Sequence, residues 1–339
     1  MSGSENSSGA VHFSWAGLEP GSLRKKGVLG RFSEIGDRPE PIVFMMLRAH
    51  HGGLRADDVT QLLAPTPYRF IRELGAGAAG RVYEIEHEFL GRRLALKVLH
   101  SSTRESSSAA RMHVEAQVLG RIRHPNVVEV IDFWIAADER PCIVLELLEG
   151  RTLAARLDDA PQLPIAEVIE LGAQTLSALV MAHALGIVHR DLKPENLFFH
   201  LPAVAASAVV KVLDFGLVRV LPTATLGTGA LPAMRTKTGS LVGSPQYMSP
   251  EARAGQRVDA RADLYSLGVI LYVALAGTGP FDESDGPPVA PSTLRTDGGS
   301  PALDSLILQA IAPRLEDRFR SAEEFLEQLA PLRATKRQR

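Results

Sequence analysis

Residues 188–196 read Val-His-Arg-Asp-Leu-Lys-Pro-Glu-Asn and place three chemically useful side chains close together. The Asp191 carboxylate can orient a hydroxyl and accept its proton, the Lys193 cation can stabilise moving negative charge, and the Asn196 amide oxygen can bind a hard metal ion. The same residue types are common in solvated turns. A chemical role therefore requires further groups elsewhere in the chain, at workable spacing.

A lysine lies inside an apolar segment, Leu94-Ala95-Leu96-Lys97-Val98-Leu99, which predicts a strand. Burying an ammonium group is costly unless an anion pairs with it, so Lys97 requires a partner. Glu115, in a helix predicted over residues 111–119, is one candidate. A surface lysine and a surface glutamate remain the alternative for either residue taken alone.

Just before this strand, Gly75, Gly77 and Gly80 recur at the spacing G-x-G-x-x-G. Glycines allow the backbone to approach phosphate oxygens without an intervening side chain. Dinucleotide sites use the same spacing, but there the glycines lead into a helix. Residues 81–87 instead alternate and include β-formers such as Val82, which predicts a strand. The order of elements favours a strand-turn-strand cover over nucleotide phosphates.

A third cluster follows the β-branched strand predicted over residues 209–213. Asp214-Phe215-Gly216 places a carboxylate directly after that strand, downstream of residues 188–196. Hard divalent cations prefer such carboxylate oxygens. The tripeptide carries little weight alone, but its position after the strand makes a second metal ligand a strong hypothesis.

Together these motifs resemble those of a eukaryotic-type (Hanks-type) serine/threonine protein kinase, most closely its bacterial members. The resemblance covers about residues 68–333. It implies an α+β, two-lobed protein kinase fold, with a small β-rich N-lobe carrying a C-helix and a larger, mainly α-helical C-lobe. It also implies catalytic roles for Asp191, Lys193, Asn196, Lys97, Glu115 and Asp214.

The resemblance implies ATP as the phosphoryl donor, with Mg²⁺, or Mn²⁺ in its place, bound by Asn196 and Asp214. Lysine at position 193 accompanies Ser/Thr rather than Tyr specificity in this family. The hinge between the lobes would begin at Glu146 and bond adenine through its backbone. The implied nucleotide contacts are Leu74, Gly75, Ala76, Gly77, Ala78, Ala79, Gly80, Val82, Ala95, Lys97, Glu146 and Leu148.

Residues 217–242 resemble an activation loop, and residues 243–251 resemble the segment that closes it. Thr236 and Thr238 precede that closing segment and are the candidate phosphorylation sites, with Ser240 as a competing one. The resemblance predicts that Glu251 pairs with Arg318. It also predicts that Asp263 anchors the backbone of the catalytic loop.

Composition shifts divide the chain into segments. Between Phe281 and Leu303 the sequence is rich in Asp, Ser, Gly and Pro, where the family usually has an amphipathic helix that docks substrates or partners. The predicted segments are a disordered leader (1–40), an extension packing on the N-lobe (41–67), a kinase domain (68–333, with N-lobe 68–147 and C-lobe 150–333) and a basic tail (334–339).

Composition also limits the classes of partner and the cellular compartment expected for this protein. The 339 residues carry 37 Lys and Arg against 39 Asp and Glu, a formal charge of −2, so nucleic acid is not expected as a partner. Cys142 is the single cysteine, which fits a reducing compartment. No apolar run in the sequence approaches the roughly 18 residues of a membrane span. We expect a cytoplasmic enzyme with protein Ser/Thr substrates, self-association for trans-autophosphorylation, and no membrane partner.

Two other functions compete with a protein kinase. A pseudokinase scaffold would bind nucleotide or partners without turnover and predicts loss of the Lys97, Asp191 or Asn196 side chain, none of which is lost. A small-molecule phosphotransferase of related fold has no need of the long segment that ends at Glu251. Both are less favoured than transfer of the ATP γ-phosphoryl group to protein Ser or Thr.

Overall fold

The computed structural model describes residues 56–77, 80–99, 120, 122–202, 207–215, 245–281 and 286–334. Its N-terminal lobe is a helix followed by an antiparallel sheet of five strands in the order β1-β2-β3-β5-β4. The elements are α1 (Ala56–Leu63), β1 (Tyr68–Ala76), β2 (Gly80–His87), β3 (Arg92–Leu99), β4 (Val130–Ile135) and β5 (Pro141–Glu146).

Helix α1 packs on this sheet and completes its core. Val59 and Leu63 of the helix are buried in one cluster with sheet residues such as Tyr83, Leu96 and Val144. Cys142 on β5 is buried in the same cluster, and burial raises the pKa of its thiol to about 12. The thiol is therefore protonated at neutral pH and unreactive.

A short antiparallel sheet, β6-β7-β8, joins the two lobes. Its strands are β6 (Gly150–Thr152), β7 (Leu197–His200) and β8 (Val209–Val212). Gly150 has φ 132°, and a Cβ there would lie 2.0 Å from the Phe199 carbonyl oxygen, so only glycine fits where β6 leaves the N-terminal lobe. Strand β8 also forms an isolated parallel bridge between Val127 and Val212.

The C-terminal lobe is helical. It consists of α2 (Leu153–Asp159), α3 (Ile165–Ala184), α4 (Pro250–Arg253), α5 (Arg261–Ala276), α6 (Pro301–Ala310) and α7 (Ala322–Ala334), with 3₁₀ turns at Pro194–Asn196, Pro245–Tyr247, Pro291–Leu294 and Leu315–Asp317. Helix α5 is buried almost all round and forms the centre of the core. Such a helix can hold polar anchors at fixed depth, because packed elements cover nearly all of its faces.

The predicted gap before α6 has no α-helix in its described part, residues 286–300, which contain only the turn Pro291–Leu294. Arg295 fixes this segment because its guanidinium donates to the Leu163 and Leu275 carbonyls at 2.9 and 2.8 Å. The described part of the segment therefore packs on the C-terminal lobe without an intervening α-helix, as its Gly- and Pro-rich sequence predicts.

Helix α3 is the one described helix that is long and apolar enough to cross a membrane by length and composition, which the sequence analysis did not anticipate. In the fold, 67% of its most apolar window is buried. Its apolar side chains, including Leu171, Leu176 and Leu179, are fully buried in the core of the C-terminal lobe. This burial accounts for its hydrophobicity.

The predicted Glu251–Arg318 pair is confirmed as a bidentate, buried ion pair with contacts of 2.9 and 3.0 Å. Burial alone would raise the pKa of Glu251, but its hydrogen bonds, that from Arg318 foremost, together with the Arg318 charge outweigh burial and lower the pKa below its usual range. The pair therefore stabilises the fold above the ordinary Glu pKa. Its contribution is lost as pH falls through the lowered value.

We expect Arg318→Met to reduce the free energy of unfolding by about 3–5 kcal/mol, because Glu251 would be left as a buried, unpaired charge. Urea unfolding at neutral pH measures this. Arg314→Met is the matched control, since Arg314 is exposed and pairs only with surface acids, and it should leave the urea midpoint unchanged. Equal effects of the two substitutions would contradict the importance of the buried pair.

Candidate active site

The loop between α3 and β7 brings Asp191, Lys193 and Asn196 together. The Lys193 ammonium lies 3.0 Å from the Asp191 carboxylate. The Asn196 side-chain amide donates to the Asp191 carbonyl at 2.8 Å. Because its NH₂ group is used in that bond, the Asn196 oxygen is left on the opposite side of the amide, as a metal ligand requires.

Asp263, at the start of α5, holds this loop as predicted. Its buried carboxylate accepts hydrogen bonds from the backbone N–H groups of His189 and Arg190, both at 2.8 Å. The His183 ring lies 2.8 Å from the same carboxylate. Burial alone would raise the pKa of Asp263, but its interactions with His183 and with the loop together outweigh burial, and the pKa is lowered. Asp263 therefore stays ionised and fixes the loop at two consecutive peptide groups.

His189 connects the loop to the residue before Asp214. Its Nδ1 accepts from the Asp191 N–H at 3.3 Å, so Nε2 carries the proton and donates to the Leu213 carbonyl at 2.8 Å. The ring is fully buried and packs on Phe215, with ring centroids 4.8 Å apart. Sequence reasoning gave His189 no role beyond its place in the motif, although a histidine two residues before a candidate acid was a usable signal.

The backbone is strained at two positions of the site. Arg190 has φ 64° and Asp214 has φ 54°, in the left-handed region that non-glycine residues rarely adopt. Strain of this kind costs about 1–3 kcal/mol per residue and persists only when surrounding contacts enforce it. Asp263 and His189 provide such contacts on either side of the site.

Lys97 and Asp214 form an ion pair across the cleft between the lobes, with 2.5 Å between Nζ and Oδ1. Burial alone would raise the pKa of Asp214, but the charge and hydrogen bond of Lys97 together with the Lys193 charge outweigh burial, and the pKa is lowered. The carboxylate is therefore ionised, as metal binding requires. The partner predicted for Lys97 from the sequence, Glu115, lies outside the described residues.

The glycine segment forms the turn between β1 and β2. Gly77 and Gly80 exchange backbone hydrogen bonds of 2.7 and 3.3 Å. A Cβ on Gly80 would lie 2.2 Å from the Val98 carbonyl, so β3 can pass closely only because this residue is glycine. The predicted contacts Ala78 and Ala79 lie outside the described residues.

The register of the sheet places the other predicted nucleotide contacts near Lys97. Val82 pairs with Lys97 across β2 and β3, and Ala95 pairs with Leu145 across β3 and β5. Since alternate strand residues share a face, Ala95 and Lys97 lie on the same face of the sheet. Leu74 is buried at the end of β1.

The hinge follows β5. The Glu146 carboxylate accepts from Lys211 at 2.6 Å and from the Glu129 N–H at 2.8 Å, and the Glu146 N–H donates to the Glu129 carbonyl at 3.1 Å. Glu146 can therefore serve adenine only through its carbonyl. Leu148 packs with an apolar cluster that includes Leu213. An apolar surface next to a backbone carbonyl suits an adenine ring.

The described site thus brings Lys97, Asp214, Asp191, Lys193 and Asn196 to the junction of the two lobes. Thr236 and Thr238, the candidate phosphorylation sites, lie outside the described residues. The polar partners that sequence reasoning missed are His183, His189 and Lys211, each bonded to a residue that was predicted.

The sequence matches the protein kinase domain family over residues 68–338. The chain belongs to the protein kinase family. This kinase is 39% identical over 269 residues to the serine/threonine-protein kinase Pkn1 of Myxococcus xanthus, a match covering 76% of this chain and 37% of the relative. It is 35% identical over 274 residues to the probable serine/threonine-protein kinase PknB of Lactococcus lactis, covering 78% and 41%. The kinase therefore spans about two fifths of the length of these relatives.

Solved structures agree with the sequence matches. The kinase resembles the crystal structure of the Mycobacterium tuberculosis PknI kinase domain, with a TM-score of 0.61 and 29% identity. That match covers 78% of this chain and 96% of the solved one. The predicted two-lobed kinase fold and the resemblance to bacterial serine/threonine kinases are both confirmed.

Proposed function

We propose that this chain transfers the γ-phosphoryl group of ATP to Ser or Thr hydroxyls of proteins. The observation that carries the proposal is the meeting of two loops at the interlobe cleft. One loop presents Asp191, Lys193 and Asn196, and the other presents Asp214 paired with Lys97. These are the groups that phosphoryl transfer needs, because its catalysis consists mainly of positioning and charge stabilisation.

The residues present fit ATP and Mg²⁺. Asp214 is ionised, and the Asn196 amide is oriented by the Asp191 carbonyl, so the site offers one carboxylate and one amide oxygen. Mg²⁺ is usually held by one or two protein oxygens together with substrate phosphates and water. Asp214 and Asn196 would hold the metal, which would neutralise phosphate charge when bound. Mn²⁺ favours the same donors.

The chain's own groups then divide the work of transfer. Asp191 orients the substrate hydroxyl and accepts its proton while the oxygen bonds to the γ-phosphorus and the bond to ADP breaks. Lys193, 3.0 Å from Asp191, stabilises the negative charge on the transferring group. Lys97 is positioned to contact the remaining phosphates, and the backbone at Gly75, Gly77 and Gly80 would approach them.

A transfer assay distinguishes the proposal from its rivals. The full chain is incubated with Mg²⁺-ATP and a generic protein substrate, and phosphorylated residues are mapped by mass spectrometry. Transfer to Ser or Thr supports the proposal. ATP binding without transfer would favour a pseudokinase scaffold, and ATP consumption only with a small-molecule acceptor would favour the related phosphotransferases.

We also propose that the kinase activates itself by phosphorylating Thr236, Thr238 or both, in trans between two associated copies. A phosphate adds about −1.5 to −2 charges and three acceptor oxygens, which a guanidinium can meet bidentately. Arg190, next to Asp191, is the guanidinium we assign to it. Such a bond would order the activation loop for substrate binding.

Phosphosite mapping after ATP treatment, compared with Thr236→Ala/Thr238→Ala, tests this switch. We expect phosphate on at least one of the two threonines and a fall of about tenfold or more in activity of the double variant, because Arg190 loses its anion. Ser240→Ala is the matched control and should retain full activity. A loop that stays unmodified, or a fully active double variant, would refute the switch.

We also propose the domain boundaries, the class of partner and the cellular compartment of the kinase. Packing of α1 on the sheet supports an N-terminal extension over residues 41–67 that belongs to the N-lobe. The near-neutral charge supports protein rather than nucleic-acid partners. We assign the kinase domain to the cytoplasm, where ATP is available and the Cys142 thiol stays reduced.

A further inference from the structure

Gln174, on helix α3, bonds to three separate parts of the kinase. Its side-chain oxygen accepts from the Asn126 amide and from the Val210 backbone N–H, both at 2.8 Å. Its NH₂ group donates to the Glu170 carboxylate at 2.9 Å, one turn back on the same helix. One amide thus joins the core helix, the loop leading into β4, and strand β8.

The orientation of this amide is set by chemistry. A carboxylate accepts and a backbone N–H donates, so the NH₂ group must face Glu170 and the oxygen must face Val210. Glu170 is buried, and Arg333 near the end of α7 neutralises it with contacts of 3.1 and 2.9 Å. Glu170 and Arg333 therefore hold the Gln174 oxygen towards its two donors.

The two segments that Gln174 holds each lead to the active site. Strand β8 ends at Val212, two residues before Asp214. Asn126 belongs to the loop entering the N-terminal lobe, and it also bonds β8 directly, because its side chain donates to the Val210 carbonyl at 2.9 Å. Its carbonyl accepts from the Val212 N–H at 2.8 Å.

Helix α3 itself leads into the loop that carries Asp191. One side chain, Gln174, therefore connects three segments: α3, which leads to Asp191; β8, which leads to Asp214; and the loop that enters the N-terminal lobe. A shift at β8 would move Asp214 relative to both Lys97 and Asn196. Displacements of about 1 Å at such groups can cost a hundredfold in rate.

We propose that Gln174, oriented by the Glu170–Arg333 pair, is a positioning residue for phosphoryl transfer that sets the place of Asp214 through β8. The proposal rests on the proposed kinase activity. It predicts that disturbing the Gln174 amide lowers kcat/KM for ATP and ATP·Mg²⁺ affinity. It also predicts that a complementary arrangement of donors and acceptors restores both quantities.

Gln174→Glu is the informative substitution. A carboxylate still accepts from Asn126 and Val210, but it faces the Glu170 carboxylate across the position of the lost NH₂ group. We expect kcat/KM for ATP to fall by about tenfold or more, as for a misplaced catalytic group. KM for the protein substrate should not change. ATP·Mg²⁺ binding, measured by calorimetry, should weaken in parallel.

The exchange variant Glu170→Gln/Gln174→Glu provides the rescue. It keeps the net charge and returns an NH₂ group opposite the carboxylate, so kcat/KM for ATP and ATP·Mg²⁺ affinity should recover at least threefold over the single variant. Gln328→Glu, the same substitution at an exposed position on α7, is the matched control and should behave as the unaltered kinase. Circular dichroism confirms that each variant is folded at the assay temperature.

The outcomes separate the two proposals. An inactive but ATP-binding parent protein would overturn the kinase assignment, and the calorimetric comparison would still test Gln174. Unchanged ATP affinity and kcat/KM in Gln174→Glu would overturn the positioning role. A loss in Gln174→Glu that the exchange variant fails to recover, or that merely follows a lower melting temperature, would also overturn it in favour of a structural role.

Discussion

Asp191→Asn abolishes phosphoryl transfer while ATP binding persists: this is the largest effect we expect. The substitution keeps the shape of the side chain but removes the base that accepts the hydroxyl proton, and a positioned general base contributes about 10²–10⁴-fold. The Asp191 carboxylate also balances Lys193 at 3.0 Å. Radiolabel transfer measures the activity, and calorimetry measures ATP binding.

Asp158→Asn is the control for this substitution, because Asp158 is an exposed acid on α2. It should transfer phosphate at the rate of the unaltered kinase. Undiminished transfer by Asp191→Asn would remove Asp191 from the reaction. Loss of both transfer and ATP binding would indicate that Asp191 supports the nucleotide site and is not the base.

Lys97→Met should reduce kcat by about 10²–10³-fold, comparable with removal of a positioned electrostatic group from other active sites. Methionine keeps a similar length but leaves Asp214 without the charge that lowers its pKa. Burial would then raise the pKa of Asp214. As the pH is lowered, the remaining activity should therefore fall at a higher pH than in the unaltered kinase. A pH–rate profile measures both effects.

Arg69→Met removes an exposed cation from β1 in the same lobe and should change neither kcat nor the profile. Full activity of Lys97→Met would exclude the proposed role of Lys97. Glu115→Gln in the same assay tests the partner that the sequence predicted for this lysine. An unaffected Glu115→Gln would show that Asp214 is the partner that matters.

Much of the active site could be predicted from the sequence because its groups are local. One short loop carries Asp191, Lys193 and Asn196. Asp214 directly follows a β-branched strand. Partners for Glu251 and Asp263 were also predicted, because the kinase resemblance assigns one to each of these acids. Both partners were found where the kinase resemblance placed them.

The choice among partners was made only by the tertiary structure. The sequence offered Glu115 as the partner of Lys97, whereas the described structure pairs Lys97 with Asp214, 117 positions away. No local pattern distinguishes Gln174 from other helical glutamines, or indicates that His189 bonds the Leu213 carbonyl. By length and composition α3 could span a membrane, and only the packing shows that most of its apolar window is buried. Sequence determines which groups need partners, and folding determines which partners come within bonding distance, because a hydrogen bond or ion pair depends on separations of a few ångströms that chain order does not encode.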